Sequence, residues 1–481
     1  MTRRHLMDII NGLPNIFYNN SDEQDLAPLK KDIYLPGIKT NTNNIQACFS
    51  IALHMHQPTI PAGHDNLQTA GLISNLEHMM NNQHTGDNHN APVFLNCYSR
   101  ISDIIREHVD QGHNPRVMLD YSGNLLWGLR QIEGGRVLDN LKYITCDEKY
   151  FPYVEWLGTM WSHAVASSTP IPDIKLHLMA WRKHFASIFG KDAVRRVKGF
   201  SPPEMHLPIH PDVCYEYIKA LKECGYTWLM VQEHTIELTD GTGLRNPYLP
   251  HKLVAKNSLG KIEEITILIK TQGSDTKLVA QMQPYYEAKT KHPENFCQKQ
   301  IPPIVLQIGD GENGGVMMNE FPSAFHQAFN EIGFDGVVAM NGTEYLELVV
   351  AKGIKEKDFP GAQPASQHLI WENIKKFEPH ASDKAIDKIH DKDPNYNLDK
   401  GSWTSDRSWI KGYESVLDPM NKLSVAFHSK YDKKGPSSDP QYNEALLYLL
   451  LSQTSCFRYW GEGVWIEYAK ELCRRGNERS A

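Results

Sequence analysis

Long apolar runs are missing from this chain. The longest, Ala445–Leu451, is far short of the ~20 residues a bilayer-spanning helix needs, so no membrane partner is expected. Cysteine is sparse and scattered: Cys48, Cys97, Cys146, Cys214, Cys224, Cys297, Cys456 and Cys473 contain no Cys-x-x-Cys pair. That pattern argues for reduced thiols rather than a disulfide framework or a cysteine-rich zinc site. No basic run occurs, and the net charge of −7 argues against nucleic acid as a partner. The first residues, Met1 to Ile10, lack the apolar core of a secretion signal, which gives the expectation of a cytoplasmic protein. Neither an internal repeat nor a low-complexity tract appears. What remains is an ordinary globular composition, 41% hydrophobic and 22% charged. The ten tryptophans and 21 tyrosines supply flat faces on which sugar rings can lie.

Residues 1–46 are polar and weakly periodic, and read as an extension that wraps the fold or stays mobile. Order begins at Ala47–Leu53, a continuous apolar strand of the kind buried on both faces. Strand–loop–helix units then follow, with strands near Arg116–Asp120, Tyr153–Leu157, a short one running into Glu204, then Thr227–Val231, Ile304–Ile308 and Gly336–Met340. Such alternation predicts a parallel sheet, and so many units predict closure into a barrel over 47–350. Right-handed crossovers place the strand-end loops on one face. From 351 to 481 helical periodicity dominates, which predicts a helical C-terminal domain contributing to the mouth of the site.

The candidate chemistry lies at strand ends. Glu204 follows Pro202-Pro203, two residues that restrict the backbone around it. Asp310 and Glu312 sit in a glycine-rich loop after the Ile304–Ile308 strand. That loop matches no phosphate-binding pattern. Two carboxylates facing each other across a cleft are what glycosidic bond cleavage requires. A helix cap and a plain tight turn are the structural alternatives for these two stretches. His54-x-His56, His163 and His206-x-x-x-His210, with Asp120 and Glu155, could instead compose a zinc or iron site. Pro208 breaks any regular helix between His206 and His210, and no metal is expected. Core packing is the alternative for each tryptophan near these loops.

In chain order, His54-Met-His-Gln-Pro58 resembles the first signature of glycoside hydrolase family 57. Glu155-Trp-Leu-Gly-Thr-Met-Trp-Ser-His163 resembles the second, Gly199-Phe-Ser-Pro-Pro-Glu204 the third and Asp310-Gly-Glu312 the fourth. Gly401-Ser-Trp403 and Leu450–Trp460 resemble the C-terminal elements that close over the site. The resemblance implies an α/β fold, an incomplete (β/α)7 barrel with a C-terminal helical domain, and retaining chemistry on α-glucans, α-amylase-like by default. It implies Glu204 as nucleophile and Asp310 as acid/base, with no cofactor. His54, His56, Glu155, His163, His206, Glu312, Trp403 and Trp460 are expected to bind substrate. The chain departs from the pattern at Ser455-Cys456, where an acidic residue often follows the serine, and at Asn313-Gly314-Gly315. The shared motifs leave transglycosylation (a branching enzyme or a 4-α-glucanotransferase) open. A metal-dependent polysaccharide deacetylase and a non-catalytic glucan-binding protein are the remaining alternatives.

Overall fold

The computed structural model describes residues 8–18, 20–35, 44–62, 66–271, 277–312, 320–332, 335–398, 408–432 and 440–481. Eight parallel strands organise it: β1 Ala47–Met55, β2 Val117–Tyr121, β3 Val154–Trp156, β4 Gly199–Phe200, β5 Trp228–Gln232, β6 Ile262–Lys270, β7 Ile304–Asp310 and β8 Val337–Ala339. β1 pairs with β2, and β2 with β3. A parallel bridge between Gly158 and Phe200 carries the pairing from the end of β3 to β4. β4 pairs with β5 and β5 with β6. β6 meets β7 through a single pair, Lys270 with Leu306, and β7 runs back along β1. β8 pairs with the first residues of β1.

Period two along the strands separates their side chains into two apolar clusters. In β1, Phe49, Ile51, Leu53 and Met55 join one cluster with the covering helices, while Cys48 and Ala52 join the other. β2 repeats this, with Val117, Leu119 and Tyr121 in the first and Met118 in the second. The second cluster fills the side enclosed by the strands. Its row continues upward through polar residues, so His54 and Asp120 stand on that enclosed side at the C-terminal strand ends.

Helices Glu414–Tyr431, Pro440–Leu451 and Val464–Ser480 pack on one another and share the first cluster through Leu423, Phe427 and Leu472. The stretch after residue 350 is not purely helical. Gly361–Pro364 is a strand, parallel to His251–Lys256 and antiparallel to Ile236–Leu238. The described residues before Ala47 are tied to the helices that cover the sheet. Glu347 accepts the backbone N–H groups of Ile33, Tyr34 and Leu35, and Lys183 reaches Asp22 at 2.6 Å.

The Gly158 bridge requires a glycine, because a Cβ there would overlap the buried ring of Tyr226. Gly158→Ala is expected to destabilise the protein by about 1–3 kcal/mol, the usual cost of overpacking a filled core. Urea unfolding measures this, and an unchanged midpoint would show that Tyr226 gives way freely.

Candidate functional site

Register brings three of the expected residues into one row. His54 on β1 lies opposite Asp120 on β2 and opposite Asp310 on β7, each at the C-terminal end of its strand. His54 Nδ1 lies 2.9 Å from Asp120 Oδ2, and the pair is buried. Burial works against the His54 charge. Asp120, assisted by Asp310 and Glu312, outweighs it and lifts the imidazole to about 9.

His56 lies just beyond β1. Its Nδ1 is 2.7 Å from Ser122 Oγ, the cap of helix Gly123–Gln131, and its Nε2 is 3.2 Å from Cys456 Sγ. His54 and His56 face the same way, as the period of two along a strand dictates, and both rings lie on His163. Their centroids stand 4.7 and 4.2 Å from it, the second pair stacked at 14°. Burial, with the charge on His54, holds His56 well below the ordinary histidine range. His163 is held down by burial and then by the other two imidazoles and Arg458.

Glu204 sits in a single 3-10 turn, Pro203–Met205, directly after β4. Its φ is 59°, Met205 follows at 48°, and the facing His163 has φ 61°. Left-handed backbone of this kind costs a non-glycine residue about 1–3 kcal/mol and persists only where the surroundings enforce it. Here the prolines on one side and the packed loop on the other enforce it. The result sets Glu204 Oε1 3.9 Å from His163 Nδ1.

Glu312 completes the opposite side. Its Oε1 accepts the His56 backbone N–H at 3.2 Å, while Gly311 N–H donates to the carbonyl of His54. Burial first, and the charge of Asp310 second, raise the Glu312 carboxyl to about 8. His206 is fully buried, and burial followed by Arg458 lowers it to about 3.

Two expected residues stand apart. Glu155 is on the enclosed side of β3, but level with Met118, a layer below the row. Its carboxylate accepts the N–H of Thr343 at 2.9 Å and the Thr343 hydroxyl, at the start of helix Gly342–Ala351. The geometry gives it the work of anchoring that helix. Trp460 is exposed at 40%, its ring packed on Trp465 and Tyr459. Trp403 lies outside the described residues.

The C-terminal region supplies groups that motif reading missed. Ser455 Oγ lies 2.7 Å from His163 Nδ1, and Thr454 bridges Ala164. Arg458 reaches the Glu204 side fully buried. The signal was present: between Glu444 and Glu462, Arg458 is the only charged residue. Among the described residues no group of three or more His, Cys, Asp and Glu side chains is arranged to hold a metal ion. The imidazoles stack face to face, so their nitrogens do not converge on one point.

Carboxylates and imidazoles gathered at the C-terminal ends of parallel strands define an α/β protein with a buried polar site. The resemblance to family 57 holds: residues 50–273 match the model of glycosyl hydrolase family 57, a family of glycoside-active enzymes. The chain is similar in fold to the GH57-type branching enzyme from Pyrococcus horikoshii, at 12% identity and TM-score 0.52, covering 90% of this chain and 88% of that one. It is equally similar to the α-amylase AmyC from Thermotoga maritima, at 12% identity and TM-score 0.51, covering 90% and 92%. Against the 4-α-glucanotransferase from Thermococcus litoralis, identity is 16% and the TM-score 0.48, and the chain spans about half (53%) of that protein's length. No curated protein matches the sequence.

The buried groups fix a pH window for stability. Burial holds His177, His184 and His206 at about 4, 3 and 3, and His56 and His163 well below 6.5. The unfolded chain takes up these protons near 6.5, so their stabilisation is present above that pH and lost as it falls. His54 and His428 hold protons up to about 9, and Glu155 and Glu312 up to about 8. The unfolded chain releases those near 6.5 and 4.5, so that stabilisation is lost as pH climbs toward 8–9. The melting temperature is expected to peak near pH 6.5 and to decline on both sides. A flat profile from pH 4.5 to 9 would contradict this.

Proposed function

We propose that the chain is a retaining glycoside hydrolase acting on α-glucans at α-1,4 bonds, with Glu204 as nucleophile and Asp310 as acid/base. In this reading the strand ring over 47–350 is an incomplete (β/α)7 barrel, and the helices of 351–481 close its mouth. One observation carries the reading: Glu204, held in a left-handed turn against His163, faces the enclosed side on which Asp310 stands in register with His54 and Asp120. A rigidly held carboxylate attacks the anomeric carbon, while a carboxyl on the other side protonates the leaving oxygen and then activates water. His54, His56, His163 and His206 bind sugar hydroxyls, and no cofactor takes part.

Incubation with amylose and with glycogen tests the reaction. Hydrolysis releases reducing ends; new branches or disproportionation products would move the assignment to a transferase, and no change to a binding protein. Glu204→Gln is expected to remove essentially all turnover, because no other group forms the glycosyl–enzyme bond. Retention of more than about one hundredth of wild-type kcat would remove Glu204 from that role, since covalent nucleophiles contribute several orders of magnitude.

The Asp310–Glu312 side holds a proton at neutral pH, because Glu312 is raised to about 8. Above that value a second negative charge appears beside Asp310. kcat/KM is accordingly expected to fall as the pH rises through about 8, and Glu312→Gln to flatten that limb. A Glu312→Gln profile with the same alkaline fall would place its origin elsewhere.

A further inference from the structure

Arg458 has no assigned task, and its surroundings are unusual for an arginine. The residue is 1% exposed, and Nε, Nη1 and Nη2 make no hydrogen bond among the described residues. The guanidinium carbon stands 6.0 Å from the centroid of the Trp409 ring. Leaving a buried charge without hydrogen bonds costs several kcal/mol, and that cost is recovered only where another charge or a bound ligand answers it. The answering charge is Glu204. Burial lowers the Arg458 pKa to about 10, and the nearby Glu204 carboxylate acts in the opposite direction. The guanidinium therefore keeps its proton at neutral pH.

The other cations of the site do not serve Glu204. His54 is charged, but Asp120 lies against it at 2.9 Å. His163, at 3.9 Å from Glu204, and His206 are both held neutral. Cys456, from the same segment as Arg458, is pushed by burial to about 12 and stays a thiol. Among the described residues, Arg458 is the permanently charged cation that acts on Glu204. Its position is tied to the catalytic loop: Arg458 N–H donates to Ser455 O, Ser455 N–H donates to His163 O, and the Ser455 hydroxyl meets the His163 ring.

We propose that Arg458 is a positioning residue for Glu204, the fixed cation that keeps this carboxylate ionised and oriented, with its unpaired N–H groups turned to the oxygens of the sugar bound there. The inference rests on the glycosidase reading of Glu204. It gives the segment after Ser455 an electrostatic task, where an acidic residue would have added a second negative charge next to Glu204.

The test follows Glu204 directly. Carboxyl 13C NMR, with Glu204 identified by its loss in Glu204→Gln, gives its titration midpoint in wild type, Arg458→Lys and Arg458→Met. The midpoint is expected to rise in Arg458→Met by about one to three pH units, the effect of losing a nearby opposite charge. Arg458→Lys is expected to stay close to wild type. Labelling of Glu204 by a 5-fluoro-α-glucosyl fluoride, read by peptide mass spectrometry, is expected to show its acid limb moving by the same amount. A folded Arg458→Met protein whose Glu204 titrates as in wild type overturns the proposal, and so does an Arg458→Lys midpoint displaced as far as that of Arg458→Met. Should Arg458→Met not fold, Arg458→Gln carries the same comparison. Failure of the wild-type protein to be labelled at Glu204 would instead sink the glycosidase reading, and the titration alone would then decide the charge coupling.

Discussion

The contact between His54 and Asp120 is the one on which the rest of the site depends. It exists because β1 and β2 pair in a register that sets the two residues opposite each other on the enclosed side. Neither group tolerates burial as an isolated charge, and removing one partner of such a pair costs about 3–5 kcal/mol. The pair therefore locks the register of the strand ends as much as the strands lock the pair. Its consequences spread by charge. The imidazolium favours the neutral form of His56 and His163, while it also faces Asp310 and Glu312.

The second constraint comes from far along the chain. Residues 453–458 are fastened to the loop after β3 by the Ala164–Thr454 bridge and the contact of Ser455 with His163. Gln453 joins the buried side chains of His177 and Asp173 at 2.8 and 2.6 Å, and Asp173 meets His428 at 2.6 Å. This row of hydrogen bonds runs between helices that share one apolar cluster with the strands. Two regions separated by nearly three hundred residues thus act as a single wall, with Cys456 against His56 and Arg458 beside Glu204.

Much of this was legible in the residues. The apolar strands and their turn-rich ends located β1, β2, β5 and β7 within one or two residues, because burial on both faces leaves a continuous apolar signature. Period two told correctly that His54 and His56 share a side. It did not tell depth: Glu155 faces inward as its neighbours suggested, but one layer too low, where Thr343 takes its carboxylate. Gly361–Pro364 was missed because Gly-Ala-Gln-Pro has no strand propensity, and pairing with two existing strands imposes the conformation. Arg458 was missed because motif reading followed the serine and the tryptophans. Its lack of hydrogen bonds is a property of three dimensions.

The site resolves into two sides of opposite electrostatic character. Around Glu204 the histidines are neutral and the arginine is charged, a setting that favours the ionised carboxylate. Around Asp310 a second buried carboxyl, Glu312, crowds the first, a setting that favours retention of a proton. The C-terminal segment contributes to this division, since among the described residues Arg458 is the cation set against the neutral imidazoles of the Glu204 side. The strand ends set out the carboxyl groups, and the C-terminal segment brings a buried guanidinium to the Glu204 side.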